Sequence, residues 1–212
     1  MGSDHVKNKY KMTLREDPTN YEGWKNLGFK YLQLGNCFQA IRFFQIASDF
    51  NEKDELLWIG MGLAYIDIDD QKNAEKCFIK ATKLNKKNAE AWNNLAGLYF
   101  LSKNYKKALA CQQTALKLDP TNAHGWFNLG ITYYKLEAFT KAIKCGLRAT
   151  RISPTYAEAW HNIGAAHTAL GNLYEAQQCH MKALELEPQY ELANRNLNLV
   201  SKLIKLGEGV HG

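Results

Sequence analysis

The chain has 212 residues, of which 46% are hydrophobic and 23% charged. This composition is that of an ordinary soluble chain, and it excludes a disordered tail, a collagen-like rod and a disulfide-rich miniprotein. A formal net charge of +6 is a mild basic excess that could help an acidic partner approach but identifies none. No apolar stretch approaches the roughly 20 residues that a membrane-spanning helix needs.

The sequence repeats itself every 34 residues. Five tryptophans mark the interval, two alanine positions recur at the same spacing, and the four prolines share one register. The spacing predicts five full units, at residues 21–54, 55–88, 89–122, 123–156 and 157–190. The marker residues are Trp24, Trp58, Trp92, Trp126 and Trp160; Ala40, Ala74, Ala108, Ala142 and Ala176; and Ala47, Ala81, Ala115, Ala149 and Ala183.

Partial units flank the five full ones. Residues 1–3 resemble a cloning remnant, and residues 4–20 align with the second half of a unit, so we expect the second helix of a truncated repeat there. Residues 191–212 predict a C-terminal capping helix and tail, with Asn194 in the tryptophan slot and Leu197 in a leucine slot. Repeat arrays need an atypical last helix because nothing stacks beyond it. An ordinary truncated unit is the alternative.

Each unit reads as a helical hairpin. Apolar residues in its first half are spaced three and four apart, as in Trp24, Leu27 and Tyr31, which predicts an amphipathic helix. A short break follows, where Gly35 in the first unit is typical of a helix end. The second half resumes helical spacing and ends near Asp-Pro or a polar equivalent.

This 34-residue pattern of Trp, Leu, Gly, Tyr, Ala, Phe, Ala and Pro resembles the tetratricopeptide repeat over residues 21–190. The resemblance implies an all-α right-handed superhelix, an α-solenoid of stacked helical hairpins. Departures from the pattern fall mainly on the phenylalanine slot, which holds Gln112, Gly146 and His180 in the last three units. Because glycine weakens a helix by roughly 1 kcal/mol relative to alanine, we expect the helix around Gly146 to be locally the least stable second helix.

In this family the first helix of each hairpin lines a concave groove. Two places after each tryptophan, this slot holds asparagine in every unit but one, where Gly60 stands instead. The arrangement resembles the asparagine ladder in the superhelical domain of O-linked N-acetylglucosamine transferase, where the amides hold a polypeptide. Asparagine is also frequent in this slot across the family, so a family habit is the alternative. The predicted ladder is Asn26, Asn94, Asn128, Asn162 and Asn196.

Other residues of the predicted groove follow from the same carry-over: Lys25, Ile59, Asn93, Phe127, His161 and Tyr134. Related domains grip chaperone tails with a carboxylate clamp. The clamp has asparagine four residues after its lysine. Here Phe29 stands four residues after Lys25, so we expect no chaperone tail as a ligand. Apolar contacts favour an extended or helical segment with hydrophobic anchors. Packing between hairpins is the alternative for Phe29 and Leu63.

Lysines and arginines gather on the second helices and adjacent turns, which form the outer surface in this family. A solvent-exposed outer surface explains these basic residues, and contact with RNA is the more specific alternative. The residues are Lys76, Lys80, Lys83, Lys86, Lys87, Lys103, Lys106, Lys107, Lys141, Lys144 and Arg148.

The sequence offers no sign of catalysis, cofactor or metal. Cys77, Cys111, Cys145 and Cys179 recur every 34 residues, which separates them too widely for disulfides and favours free thiols in a reducing compartment. The sequence has no Cys-x-x-Cys pair, phosphate-binding loop or nucleophile elbow. We therefore expect no enzyme activity and an intracellular, cytoplasmic location.

The sequence thus predicts a non-enzymatic scaffold that binds protein or peptide segments in its concave groove, without membrane or nucleic acid as partner. Two alternatives stay open. The chain is a recognition or targeting domain excised from a larger protein, such as a glycosyltransferase, or it is an RNA-binding helical repeat. Self-association through the terminal helices is a further expectation, because the exposed ends of repeat arrays often pair.

Overall fold

A computed structural model of the chain describes residues 17–208. The predicted half-unit at residues 4–20 lies outside the described residues except for its last four. Within the described part, the chain forms eleven α-helices and no strand. They are α1 Tyr21–Gln33, α2 Cys37–Phe50, α3 Glu55–Asp67, α4 Gln71–Leu84, α5 Ala89–Leu101, α6 Tyr105–Leu118, α7 Ala123–Lys135, α8 Phe139–Ile152, α9 Ala157–Ala169, α10 Leu173–Leu186 and α11 Glu191–Glu208.

The chain divides into two compact units, Met1–Ser102 and Lys103–Gly212. In the first unit, the hairpin of α1 and α2 packs on the hairpin of α3 and α4, and α5 packs on α4. In the second unit, α6 packs on α7, the hairpin of α7 and α8 packs on that of α9 and α10, and α11 packs on α10. Within each unit the first helices of successive hairpins also touch: α1 contacts α3, α7 contacts α9, and α9 contacts α11.

The repeated tryptophans fasten each first helix to the chain that precedes it. Every indole N–H donates a hydrogen bond to the backbone carbonyl six residues earlier, at 2.8 to 3.4 Å. The acceptor is a proline carbonyl in three of the five cases, Pro18, Pro120 and Pro154. This bond accounts for the common spacing of the tryptophans and prolines.

The repeated alanines form the centre of each unit. All ten are buried, with at most 6% of their surface exposed, because a larger side chain there would push neighbouring helices apart. Left-handed backbone follows the end of each of the first helices α1, α3, α5, α7 and α9, and it also recurs every 34 residues, at Gly35, Asp69, Lys103, Glu137 and Gly171. Glycine meets this conformation without strain in two of the five turns only.

The thiols belong to the core. Cys37, Cys77, Cys111 and Cys145 are buried and Cys179 is half-buried, and all five are free. Burial raises the pKa of Cys77 to about 12 and that of Cys145 to about 11, so these thiols stay protonated at neutral pH. Within residues 17–208, no His, Cys, Asp and Glu side chains group as a metal site would require. Over the same residues, no helix combines the length and the apolar character needed to cross a bilayer.

Candidate functional site

In the first unit, Lys25 is committed to an internal ion pair. Its ammonium lies 2.9 Å from the carboxylates of both Glu22 and Asp54, and the Tyr21 hydroxyl also donates to Asp54. Burial opposes both charges, but their hydrogen bonds and mutual attraction raise the pKa of Lys25 and lower that of Asp54. Asp54 also caps α3 by accepting from the Leu56 N–H at 2.8 Å. Lys25 therefore joins α1 to α3, and little of it is free for a ligand.

The gap in the asparagine ladder has a steric cause. A Cβ at position 60 would lie 2.7 Å from ring atoms of both Phe29 and Phe44. These rings meet edge to face with centroids 5.0 Å apart. Phe29 is thus a packing residue that covers Gly60, which answers the alternative left open for it by the sequence. No asparagine fits at position 60 unless these rings move.

Ile59 requires a correction. The sequence places it among the apolar contacts of the groove, but its side chain is only 3% exposed. It packs in the core with Ala81 and Ala91 and contacts the partly buried Trp58 and Leu63. A ligand cannot reach it without displacing these neighbours, so we remove Ile59 from the candidate site.

The other predicted residues of the first unit lie on α1 and α5. Asn26 and Asn93 are half-buried. Asn94 is also half-buried, and its amide nitrogen is fully covered without a hydrogen-bond partner. None of the three lines the cavity described below for the second unit, and their contact with a ligand stays a prediction.

In the second unit, successive first helices carry three rungs of the ladder, Asn128 on α7, Asn162 on α9 and Asn196 on α11. All three are half-buried. The Asn128 amide nitrogen lies 3.0 Å from Nδ1 of His124, one helical turn earlier. Asn162 and Asn196 line the same cavity. We call the side of α7, α9 and α11 that bears these three amides the ladder face.

The cavity beneath the ladder face depends on an exchange in the phenylalanine slot. In the first unit, the slot residues Phe44 and Phe78 lie directly over Gly28 and Gly62. In the hairpin of α7 and α8 the slot residue is Gly146, so no ring covers Gly130. Ile163 of α9 takes part of the vacated space, since a Cβ at position 146 would lie 2.5 Å from its Cγ1.

The remaining space is a cavity of about 310 Å³, which we call the Gly146 cavity. Small residues, large apolar residues and polar groups all contribute to its lining. The predicted residues Phe127, Tyr134 and His161 all belong to it. Its full lining is Phe127, Gly130, Ile131, Tyr134, Lys135, Ala142, Gly146, His161, Asn162, Ala165 and Asn196.

Aromatic contacts hold the walls in place. The Phe127 ring lies 4.9 Å from the Tyr156 ring, and the Tyr134 ring meets Phe139 edge to face at 5.2 Å. Fixed walls of this kind favour binding because little side-chain freedom is lost when a ligand enters. Lys135 was not predicted from the sequence, since it lies outside the repeated slots that line the groove.

His161 lines the cavity and also packs against a second buried histidine, His180. Its ring is 7% exposed and lies 5.1 Å from the His180 ring and 5.0 Å from the Tyr190 ring. His180 is fully buried over Gly164, in the slot that Phe44 and Phe78 occupy elsewhere. Within the described chain, neither ring nitrogen of His180 has a hydrogen-bond partner, nor does Nδ1 of His161. Burial lowers the pKa of both, that of His180 to about 4 with a further contribution from His161.

The sequence was compared with protein families and with curated proteins. Models described as tetratricopeptide repeat match residues 57–88, 77–110, 123–156 and 157–190, and one described as TPR repeat matches residues 97–137. The matches together extend without a gap from residue 57 to residue 190. Comparison with curated proteins gave no significant match.

Several solved structures are similar to this chain. YrrB, described as a TPR protein with an unusual peptide-binding site, has a TM-score of 0.77 at 20% identity, covering 88% of this chain and 96% of YrrB. MamA has a TM-score of 0.75 at 25% identity, covering 80% of this chain and 92% of MamA. The first TPR of Spaghetti (RPAP3), bound to the HSP90 peptide SRMEEVD, has a TM-score of 0.54 at 28% identity, covering 55% and 93%. The helices and these likenesses confirm the predicted all-α helical-repeat solenoid class.

Proposed function

Because this chain is built of tetratricopeptide repeats, we propose that it is a non-enzymatic scaffold that holds an extended segment of a partner protein. The segment lies along the ladder face of the second unit. The observation that carries the proposal is the Gly146 cavity, which opens beside two ladder amides, Asn162 and Asn196.

The two parts of the site suit two parts of a peptide. A side-chain amide both donates and accepts, so Asn162 and Asn196 can pair with the N–H and C=O groups of an extended backbone whatever its sequence. The cavity that these two amides line also contains Phe127, Ile131 and Tyr134, which can contact one apolar side chain of the peptide. Binding sites commonly combine an apolar pocket with a few orienting polar groups in this way.

The known relatives support a peptide as ligand. YrrB is described as having a peptide-binding site, and the Spaghetti domain is bound to an HSP90 peptide. A chaperone tail held by a carboxylate clamp is not part of the proposal, because Glu22 and Asp54 already neutralise Lys25.

The test starts from a phage-displayed library of random dodecapeptides, panned on the full chain. The best selected peptide is labelled with fluorescein and titrated by anisotropy against the wild type and N162A/N196A. Two lost hydrogen bonds of about 1 kcal/mol each should weaken binding roughly thirtyfold. The matched control is N26A/N94A, which removes two amides at equivalent slots of the first unit and should leave affinity within about twofold.

Helical circular dichroism of both variants should equal that of the wild type. An unchanged affinity of N162A/N196A, or an equal loss in both double variants, would contradict the proposal. Failure of the panning to enrich any peptide would contradict peptide binding altogether.

A further inference from the structure

The positive charge of this protein is concentrated in one stretch. Residues 103–152, which contain α6, α7 and α8, carry nine Lys and Arg against two Asp and Glu, a formal net charge of +7. The whole chain has +6, so the rest of the sequence sums to −1. Of the two acidic residues, Asp119 is engaged by Thr121, whose N–H and hydroxyl both donate to its carboxylate.

A second cavity opens among these three helices, on a different side of α7 from the Gly146 cavity. Its volume is about 480 Å³, and Trp126, Leu129 and Tyr133 of α7 line it together with Leu116 of α6. We call it the Trp126 cavity. Three lysines, Lys117, Lys141 and Lys144, also border it.

The aromatic walls are held by polar neighbours. The Gln113 amide donates to the Tyr133 hydroxyl at 3.0 Å, and the Lys141 ammonium lies 5.6 Å from the centre of the Tyr133 ring. The Arg148 guanidinium lies 5.9 Å from the centre of the Trp126 ring. Across residues 17–208, no ion pair involves Lys117, Lys141 or Lys144. The cavity therefore combines an apolar interior with cations that have no carboxylate partner in the described chain.

The equivalent place in the first unit is smaller and less basic. It lies among α2, α3 and α4, has a volume of about 250 Å³, and is lined by Trp58, Met61 and Tyr65. Asn73 stands there in the slot that Lys141 occupies in the second unit. A smaller cavity thus occurs at the equivalent place of the first unit. The cavity of the second unit is larger and is bordered by more lysines.

We propose that the Trp126 cavity binds an acidic segment of a partner protein, with one bulky apolar side chain inserted in the cavity and flanking carboxylates paired with Lys117, Lys141 and Lys144. Charge complementarity selects the acidic flanks, and the apolar interior selects the anchor. A protein fits better than RNA, because a base stacked on an aromatic ring also needs hydrogen bonds at its edges, whereas the Trp126 N–H already donates to the Pro120 carbonyl and the Gln113 amide to the Tyr133 hydroxyl. The site is separate from the ladder face and does not depend on the function proposed for that face.

The experiment measures the binding of defined peptides to the full chain by fluorescence anisotropy. The probes are fluorescein-labelled DDEFEDD, its anchorless version DDESEDD, and a labelled decauridine RNA. Burial of the phenylalanine should make DDEFEDD bind at least about tenfold more tightly than DDESEDD. Its affinity should fall when NaCl is raised from about 50 to about 300 mM, since salt screens the lysine contacts.

Charge reversal locates the site. K141E/K144E should weaken binding of DDEFEDD about tenfold or more. The control K72E/K76E changes the net charge equally but on α4 of the first unit, and it should leave affinity within about threefold. Circular dichroism confirms that both variants are folded.

Several outcomes would overturn the proposal. Equal losses in the two double variants would mean that the peptide senses net charge alone. Equal affinity for DDEFEDD and DDESEDD would mean that the cavity receives no anchor. Tighter binding of decauridine than of DDEFEDD, abolished by K141E/K144E, would assign the same surface to nucleic acid.

Discussion

The two units fill one slot of the repeat in different ways. In the first unit Phe44 and Phe78 close onto Gly28 and Gly62, so each hairpin is sealed by an aromatic ring. In the second unit the same slot holds Gln112, Gly146 and His180. A cavity opens beside Gly146, and His180 is buried without a hydrogen-bond partner among the described residues. The buried alanines and the tryptophan hydrogen bonds are common to both. The repeat therefore keeps the alanines and tryptophans constant, while the residue in this slot varies, sealing the hairpins in one unit and leaving a cavity in the other.

Side-chain capping of the helices also differs between the two units, and it favours the stability of the first. In the described part of the first unit, the residue before each of the five helices is an Asn or Asp whose side chain accepts a backbone N–H. In the second unit, the residues that precede α8, α9 and α10 are Ala138, Tyr156 and Asn172, and none of their side chains makes such a bond. A side-chain cap contributes about 1 kcal/mol, so we expect the second unit to be the less stable one.

The largest expected effect concerns the sealed hairpins. Phe44→Ala should lower the free energy of unfolding by about 4 kcal/mol, because it empties a fully buried ring site. Urea titration followed by circular dichroism measures the loss. Phe38→Ala is the control, since that ring is 74% exposed and its removal should cost less than about 0.5 kcal/mol. A smaller loss for Phe44→Ala than for His180→Ala would reverse the comparison between the units.

The second effect is a pH dependence that arises from His180 in the second unit. In the unfolded chain His180 takes up a proton near its ordinary pKa of 6.5, whereas in the fold burial lowers its pKa to about 4. The unfolded state therefore binds more protons between these values, and stability falls as the pH drops from 6.5 to 4. The difference between these two pKa values corresponds to about 3 kcal/mol of stability.

His180→Phe should remove most of this acid sensitivity, because phenylalanine fills the same slot over glycine in the first unit. Urea titrations at about pH 7 and about pH 4.5, which bracket most of the titration of His180, give the difference between variant and wild type. Phe78→His is the reciprocal control and should introduce a similar sensitivity. Identical pH profiles for the wild type and His180→Phe would show that the buried histidine does not titrate as its surroundings require.

The smallest effect separates two kinds of helical glycine. Alanine at position 146 gains about 1 kcal/mol of helix propensity but forces Ile163 to move, which costs about 1 to 3 kcal/mol, so Gly146→Ala should be destabilising by about 1 kcal/mol. Gly97→Ala on α5 meets no atom within 4 Å and should be stabilising by about 1 kcal/mol. If Gly146→Ala stabilised as much as Gly97→Ala, the close contact with Ile163 would be refuted.

Gly146 also bears on local stability in the wild type. Its helix has no side-chain cap and a glycine in its interior. Residues 141–150 should therefore exchange amide hydrogens faster than residues 107–116 of α6, and exchange followed by mass spectrometry measures both. Equal protection of the two segments would contradict this expectation.

Periodicity alone predicted the helices and the hairpin turns, because equivalent slots of a repeat meet equivalent neighbours. It did not reveal the Gly146 cavity, which depends on how side chains from three helices share one vacated space. The ion pair of Lys25 with Asp54 was missed for a related reason, since it joins residues 29 apart that occupy different slots. Ile59 was misplaced because one helical turn can face both a groove and the next hairpin.

The most direct test of the central claim is methyl NMR of the 24.1-kDa chain, labelled at isoleucine and titrated with the best peptide from the panning. The methyl signals of Ile131, which lines the Gly146 cavity, and of Ile163, which packs against Gly146, should shift most. The methyl signals of Ile41 and Ile59, which are buried in the first unit, should keep their chemical shifts. Shifts confined to Ile41 and Ile59, with Ile131 unchanged, would contradict the assignment of the binding site to the second unit.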